Sequence, residues 1–294
     1  MWRIWLLAAA QFLGSLVGAI LLVSLLPVIA HPPDGLWPFV TELAERFLKI
    51  GSGDFGRSAA GSPAMTSAWA AFPLTVQLLG LGVALALLMG ISLGFLLSAP
   101  RAIRAAAPLL QIVTSVPVFL VGLALIWVAT PSFHVITSAD EPDLALSIMV
   151  RHGDWNSAWS AYFLPALTIG VAGAAHLQMS LRRAAAAAWM APYRSGLRMM
   201  GLGLLDINLR FALPEIIAAL LRDARGFILT LISATAIAEW IFHRNGAAVL
   251  FLNATASHDW AMATATLLLF AVFTLIVGFV GDLLASFIVP EDTL

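Results

Sequence analysis

Among the ionisable residues at or inside long apolar stretches of this chain, His176, Arg222, Asp223, Arg225 and Glu239 are the candidates for chemistry. A histidine can pass a proton or donate a hydrogen bond, and carboxylates and guanidinium groups can hold a charged solute or one another. Ionisable groups within a membrane span are functional candidates by default, because leaving them unpaired in hydrocarbon is costly. A bland reading stands beside each. His176 is either a hydrogen bond between packed helices or a substrate or proton group. Arg222, Asp223 and Arg225 either occupy an extension of a helix beyond the membrane or line the inner mouth of a pathway. Glu239 either faces a vestibule or caps the turn that follows it.

The rest of the sequence is poor in chemistry. His31, His134, His152, His243 and His258 are scattered, with no His-Glu-x-x-His pairing. No cysteine is present, which excludes disulfides, thiolate metal sites and cysteine nucleophiles. Lys49 is the only lysine, and no Gly-x-x-x-x-Gly-Lys-Ser/Thr loop exists to cradle a nucleotide. If ATP drives the function, another polypeptide binds it, and no cofactor or metal is expected on this chain. No acid, base and metal ligands converge as an enzyme requires. A net charge of −1 leaves no basic face for nucleic acid.

The elements that carry these residues are membrane helices. Of the 294 residues 61% are hydrophobic and only 11% charged, against roughly 25% charged in soluble domains. A span needs about 20 mostly apolar residues. Six such stretches are expected, at about Ile4–Ala30, Pro73–Ala99, Pro108–Thr130, Tyr162–Met179, Pro214–Phe242 and Trp260–Val289. The first is too long for the apolar core of a signal peptide, about 7–15 residues, and reads as a retained helix. The fifth reads as one continuous helix, and Gly90-x-x-x-Gly94 in the second as a close-packing face.

Between the spans lie polar segments. Residues 31–71 begin with a helix-breaking His31-Pro32-Pro33-Asp34-Gly35 and then an amphipathic stretch with Phe39, Leu43, Phe47 and Ile50 at helical spacing. Pro100 to Arg104 reads as a tight basic turn. Residues 131–160 are acidic through Asp140, Glu141, Asp143 and Asp154, with Trp155 and Trp159 suited to an interface. Residues 182–213 are polar and helix-prone, long enough for two short helices about a turn at Gly201-Leu202-Gly203. An ordered loop of that length usually has a task, and docking of a cytoplasmic partner is a natural one. With the amino terminus inside, Arg3, Arg101, Arg104, Arg182, Arg183, Arg194, Arg198 and Arg210 are cytoplasmic, against Arg46, Lys49, Arg57, Arg151 and Arg244 outside. The positive-inside rule therefore places both termini in the cytoplasm. The chain reads as one transmembrane domain over residues 1–294.

The 182–213 segment resembles the coupling loop of permease subunits of bacterial ABC importers, Glu-Ala-Ala-x3-Gly-x9-Ile-x-Leu-Pro. Ser195-Gly196-Leu197, Gly201 and Phe211-Ala212-Leu213-Pro214 keep that spacing. Gly201, Leu213 and Pro214 match, while the Glu-Ala-Ala is absent and Phe211 replaces the isoleucine. Further segments resemble the dipeptide, oligopeptide and nickel importers in family order. They are Gly53-Asp54-Phe55-Gly56-Arg57-Ser58, Ser115-Val116-Pro117-Val118-Phe119, and Leu164-Pro165-Ala166-Leu167-Thr168-Ile169-Gly170. Glu239-Trp240-Ile241-Phe242 with Gly246 follows, then Asp282-Leu283-Leu284 with Pro290. Asn245 and Ala248 depart from the Pro and the second Gly of the family's pattern.

The resemblance implies an all-α integral membrane protein of type I importer permease architecture in the bacterial inner membrane. It implies a sister permease, two cytoplasmic ATPase subunits that bind ATP and Mg, a periplasmic substrate-binding protein and surrounding membrane lipid. The long loop after the first span, 31–71, marks one of the two paired permeases. The helix from about Pro192 to Gly201, with Tyr193, Arg194, Ser195, Gly196 and Arg198, would be the coupling helix, and Pro214 would open the following span. Ser195 stands where the family carries its glutamate, so Arg194 or Arg198 is the alternative source of a charged contact. The implied function is alternating access for short peptides, with nickel or a metal chelate and opine-like solutes as alternatives. A stand-alone secondary transporter would more often show inverted repeats or broken helices, and neither is evident from the sequence.

Overall fold

A backbone that crosses lipid must satisfy its N–H and C=O groups internally, and this chain does so with helices. The computed structural model describes residues 2–98, 116–129 and 162–289, with side chains over 9–92, 116–127 and 162–289. The helices are α1 (Trp2–Ala30), α2 (Leu36–Gly51), α3 (Ala64–Ser98), α4 (Val118–Ala129), α5 (Leu164–Met190), α6 (Tyr193–Met199) and α7 (Leu204–Ile207). A wider π turn, Asn208–Ala212, leads into α8 (Leu213–Arg222), followed by α9 (Ala224–Ile241), α10 (Ala247–Ala256) and α11 (Trp260–Ile288).

Five of these, α1, α3, α5, α9 and α11, are long and apolar enough to cross a membrane. Helix α4 is the described part of the third expected span. The start of that span, the Pro100–Arg104 turn, Ser115, the acidic 140–154 stretch with Trp155 and Trp159, His134, His152 and Pro290 lie outside the described residues.

Helices α3 and α5 form the tightest pair. Gly82 and Gly90 of α3 lie directly beneath Ile169 and Leu177 of α5, so that even a methyl group would crowd those side chains. Close approach over small residues compensates for the absence of a hydrophobic drive between helices in lipid. The expected face thus uses Gly90 together with Gly82; the surroundings of Gly94 are outside the described side chains. Leu78, Leu79, Ile126, Ile169, Ile228, Leu231 and Ile241 join α3, α4, α5 and α9 in one core. Helix α11 packs along α1, α8, α9, α10 and α3.

Three sequence expectations are corrected. The fifth span is not one helix from Pro214 to Phe242: it is broken at Asp223, between α8 and α9. The helix of the fourth span runs past the expected end of the span, near Met179, to Met190 without a break, because the Ala184–Ala188 run is strongly helix-forming. Charges mark where a helix leaves lipid, not where it ends. A short helix, α10, also follows the fifth span, where only a turn was expected.

Chain direction and contacts assign the ends. The end of α1, the start of α3, the end of α9 and the start of α11 share the end that carries the 31–63 loop, here the loop end. The edge contact of His31 with Trp260 and the bond from Ala59 N to Asp259 Oδ2 tie it together. Helices α6 and α7 lie at the opposite end.

Candidate functional site

Two constructions use the ionisable residues, and a third, exposed arm carries the coupling motif. At the break in the fifth span the Asp223 backbone leaves helical geometry, with φ −83° and ψ 0°. Its carboxylate Oδ2 accepts from the Nε2 of His176 at 3.0 Å and from the Ser180 hydroxyl. His176 Nδ1 meets the Thr230 hydroxyl at 3.0 Å, and Thr230 also donates to the Gly226 carbonyl. Arg183 Nη2 donates to Ser180 Oγ at 3.2 Å. One turn of α5 therefore grips the junction of α8 and α9 through side chains.

The two arginines beside Asp223 point elsewhere. Arg225 Nη2 is 3.8 Å from Asp282 of α11, and Arg222 Nη2 donates to the Val289 carbonyl at 3.4 Å. Both arginines are exposed, while Asp223 and His176 are half-buried. Arg225 crosses α11 at Gly278, and Gly281 lies directly against the Leu221 carbonyl. The broken span is thus clasped by α5 on one side and α11 on the other, with an exposed rim of charge between.

Glu239 is in a different place. It is fully buried near the loop end of α9. Oε1 accepts from the Thr75 hydroxyl of α3 at 2.6 Å and Oε2 from Val249 N at 3.0 Å, and Thr75 Oγ1 in turn accepts from Ala247 N at 2.7 Å. The orphan amides that open α10 are thereby satisfied by side chains from two other helices, and a carboxylate complements the positive end of the helix dipole. Of the two readings open for Glu239, the geometry is that of a cap. Gly246 is required beside it, because a Cβ there would overlap the carboxylate.

The arm runs from the extension of α5 through α6 and α7 to α8. Pro192 is the N-cap of α6, and Ser195 Oγ donates to the Pro192 carbonyl at 2.8 Å. The helix ends in a Schellman motif: Gly201 N donates to Arg198 O at 2.9 Å and Leu202 N to Leu197 O at 3.2 Å. Gly201 has φ +83°, the left-handed conformation that side chains resist. Gly196 has open space around it, and Arg198, Met199 and Met200 are exposed. Arg194 is half-buried, with its Nη1 unpartnered among the described residues.

One side-chain bond ties this arm back to the bundle. The Tyr193 hydroxyl donates to Glu215 Oε2 at 2.8 Å, one residue after Pro214 in the first turn of α8, and its ring leans on Phe211. Burial first, and then the Glu215 carboxylate, push the Tyr193 phenol up to about 12, with Arg194 opposing. Sequence reasoning did not single out Thr75, Ser180, Glu215 or Thr230. Each is a common residue, brought to its partner only by the tertiary fold. Among the described residues no group of three His, Cys, Asp or Glu is placed to hold a metal.

Residues 82–291 match the family described as the binding-protein-dependent transport system inner membrane component. The chain belongs to that family. It is a multi-pass inner-membrane permease component of an ABC transport system, not itself the catalytic subunit, and such a system includes ATPase and binding-protein partners. A search of curated proteins found no match to the chain.

Proposed function

We propose that this chain is one of two paired permeases of an importer for short peptides or a related small solute. It pairs with a sister permease, receives solute from a periplasmic binding protein, and is driven by two cytoplasmic ATPases that bind Mg and ATP. Both termini lie in the cytoplasm. The observation that carries the reading is the arm. Helix α6 presents Arg198, Met199 and Met200 outward and is tied to α8 through Tyr193 and Glu215 at 2.8 Å.

A push on α6 has a short mechanical route. The Schellman turn at Gly201 fixes the end of the helix, and the Tyr193–Glu215 bond passes motion to α8. The break at Asp223 lets α8 tilt relative to α9, while His176 and Ser180 hold the junction to α5. Arg222, Asp223 and Arg225 then stand at the inner mouth of the pathway, where an arriving solute meets charge. The resemblance of Gly53–Ser58 and Glu239–Phe242 to the peptide and nickel importers supports a cargo of short peptides, with nickel or a metal chelate as the alternative.

The absence of cysteine makes the test direct. Arg198→Cys in the full chain, co-expressed with the ATPase subunits of its system, should cross-link to an ATPase under mild oxidation when that subunit carries a cysteine in its surface groove. An Arg57→Cys control should not. No cross-link, together with no co-purification of an ATPase, would overturn the coupling role. For the cargo, the system's binding protein should be stabilised by di- or tripeptides. Stabilisation by nickel or an opine alone would reassign it.

A further inference from the structure

Helix α2 is apolar around half its circumference, and the protein covers only part of that half. Phe39, Leu43, Phe47 and Ile50 turn toward the bundle, where Ile50 shares a cluster with Val23 of α1 and Leu268 of α11. At about 100° per residue, Leu36, Val40, Ala44, Trp37 and Leu48 fill the adjoining arc of roughly 120°. This arc has no partner among the described residues: Trp37 is 77% and Leu48 69% exposed. The remaining arc is polar, with Thr41, Glu42, Glu45, Arg46 and Lys49, and Glu42 pairs with Arg46 at 2.8 Å.

We infer that α2 lies in the lipid–water interface, with the Leu36–Trp37–Val40–Leu48 arc immersed in lipid and the Glu45–Lys49 arc in water. Three observations select lipid as the occupant. First, α2 follows the last residue of a membrane span by only six positions. That tether reaches at most about 20 Å, which holds α2 near the membrane surface. Second, α1, against which α2 packs, exposes apolar side chains of its own, Leu22 and Ile29. Third, Trp69 near the start of α3 and Trp240 near the end of α9 are exposed at this same end. Exposed tryptophans at one end of a bundle mark the headgroup level, and Trp37 extends that belt onto α2. A large hydrophobic face opposite a charged face is the composition of a helix that lies in the interface plane.

The consequence concerns the loop that follows. Anchored in lipid, α2 would hold the Gly53–Ser58 loop at a fixed height, with its polar arc left free for contact with the binding protein. This placement is independent of which solute the importer carries.

The full chain, with the subunits that co-purify with it, is reconstituted in nanodiscs of phosphatidylcholine and phosphatidylglycerol. Nitroxide labels are placed at Val40→Cys, Leu48→Cys and Glu45→Cys. Spin relaxation by oxygen, which partitions into lipid, is compared with relaxation by a water-soluble nickel chelate. Labels at 40 and 48 should respond several-fold more to oxygen than to nickel, and the label at 45 the reverse. Nickel access at 40 and 48 would overturn the inference by placing the arc in water. Exclusion of both reagents there would overturn it by assigning the arc to a protein partner. Exclusion of nickel at 45 would overturn it by sinking the whole helix into lipid. Ala44→Cys reads the same arc should Val40→Cys not express.

Discussion

His176 and Asp223 meet across 47 residues of chain, with Nε2 3.0 Å from Oδ2, at the point where the fifth span is broken. The break has no proline to cause it. Neighbours meet it from outside: His176 and Ser180 of α5 at the Asp223 carboxylate, and Gly281 of α11 against the Leu221 carbonyl. In the proposed transport cycle, this junction is where α8 would tilt against α9.

Loss of either partner should loosen that clasp by a measured amount. Asp223→Ala removes the acceptor for two donors and should lower stability by about 1–2 kcal/mol, reduced from the buried value by its partial exposure. His176→Ala should cost less, because Ser180 remains on the carboxylate. The double variant should fall short of the sum, as contacting residues do. Thermal unfolding of the purified chain in detergent reads all three. Additive losses would mean that the two residues act separately.

The Glu239 cap should be less forgiving, because Glu239 and Thr75 are both fully buried. Glu239→Ala leaves the Thr75 hydroxyl and the Val249 amide unpaired, at about 1–3 kcal/mol for each. Thr75→Val should cost a similar amount through Ala247 N. Gly246→Ala should be harmful alone, because its methyl meets the carboxylate, and less harmful in the Glu239→Ala background, where that room is free. Fluorescence-detected size exclusion after a heat step reports the order.

Much of this was legible in the sequence, and the reasons differ by element. The apolar runs mark the spans because lipid admits little else, and Gly201 was visible as a turn because its motif spacing isolates it. The break at Asp223 was not visible. The helical pattern runs on through Arg222, Ala224 and Arg225, and the residues that interrupt it, His176, Ser180 and Gly281, are remote in sequence. Helix α10 was missed for a related cause. Its ten residues are too few for a span, and its cap comes from Thr75 and Glu239 instead of a local Ser or Asp. The helical character of Ala184–Ala188 was legible in its composition, but not that it continues α5 without a break.

Tyr193 offers a pH test that few chains allow, since the sequence holds only two tyrosines. With Tyr162→Phe as background, the remaining phenol is Tyr193. Its proton is held to about 12 in the folded chain, so at about pH 10.5, above an ordinary tyrosine's range of roughly 10, it should still be a phenol. The sign follows: stability drawn from this bond is fully present below the ordinary value and is lost as pH rises toward 12. Glu215→Gln should bring tyrosinate absorbance to lower pH without restoring the ordinary value, because burial is the larger cause. Identical titrations would remove Glu215 from the tie.

The turn at Gly201 tests whether α6 acts as a lever or only fills space. Its left-handed backbone costs a β-branched residue roughly 1–2 kcal/mol, and the nearest Cβ contact is open, so the penalty is in the backbone alone. Gly201→Val should therefore unwind the end of α6 while leaving the bundle intact. Gly201→Asn, which tolerates this conformation better, should be milder. In the reconstituted importer, Val should reduce uptake several-fold more than Asn, with ATPase subunits still co-purifying and their hydrolysis no longer answering to solute. A stiff helix end is needed only if force passes through it. Unchanged uptake with unchanged solute-stimulated hydrolysis in Gly201→Val would show that the Schellman turn carries no load and that coupling enters through another surface.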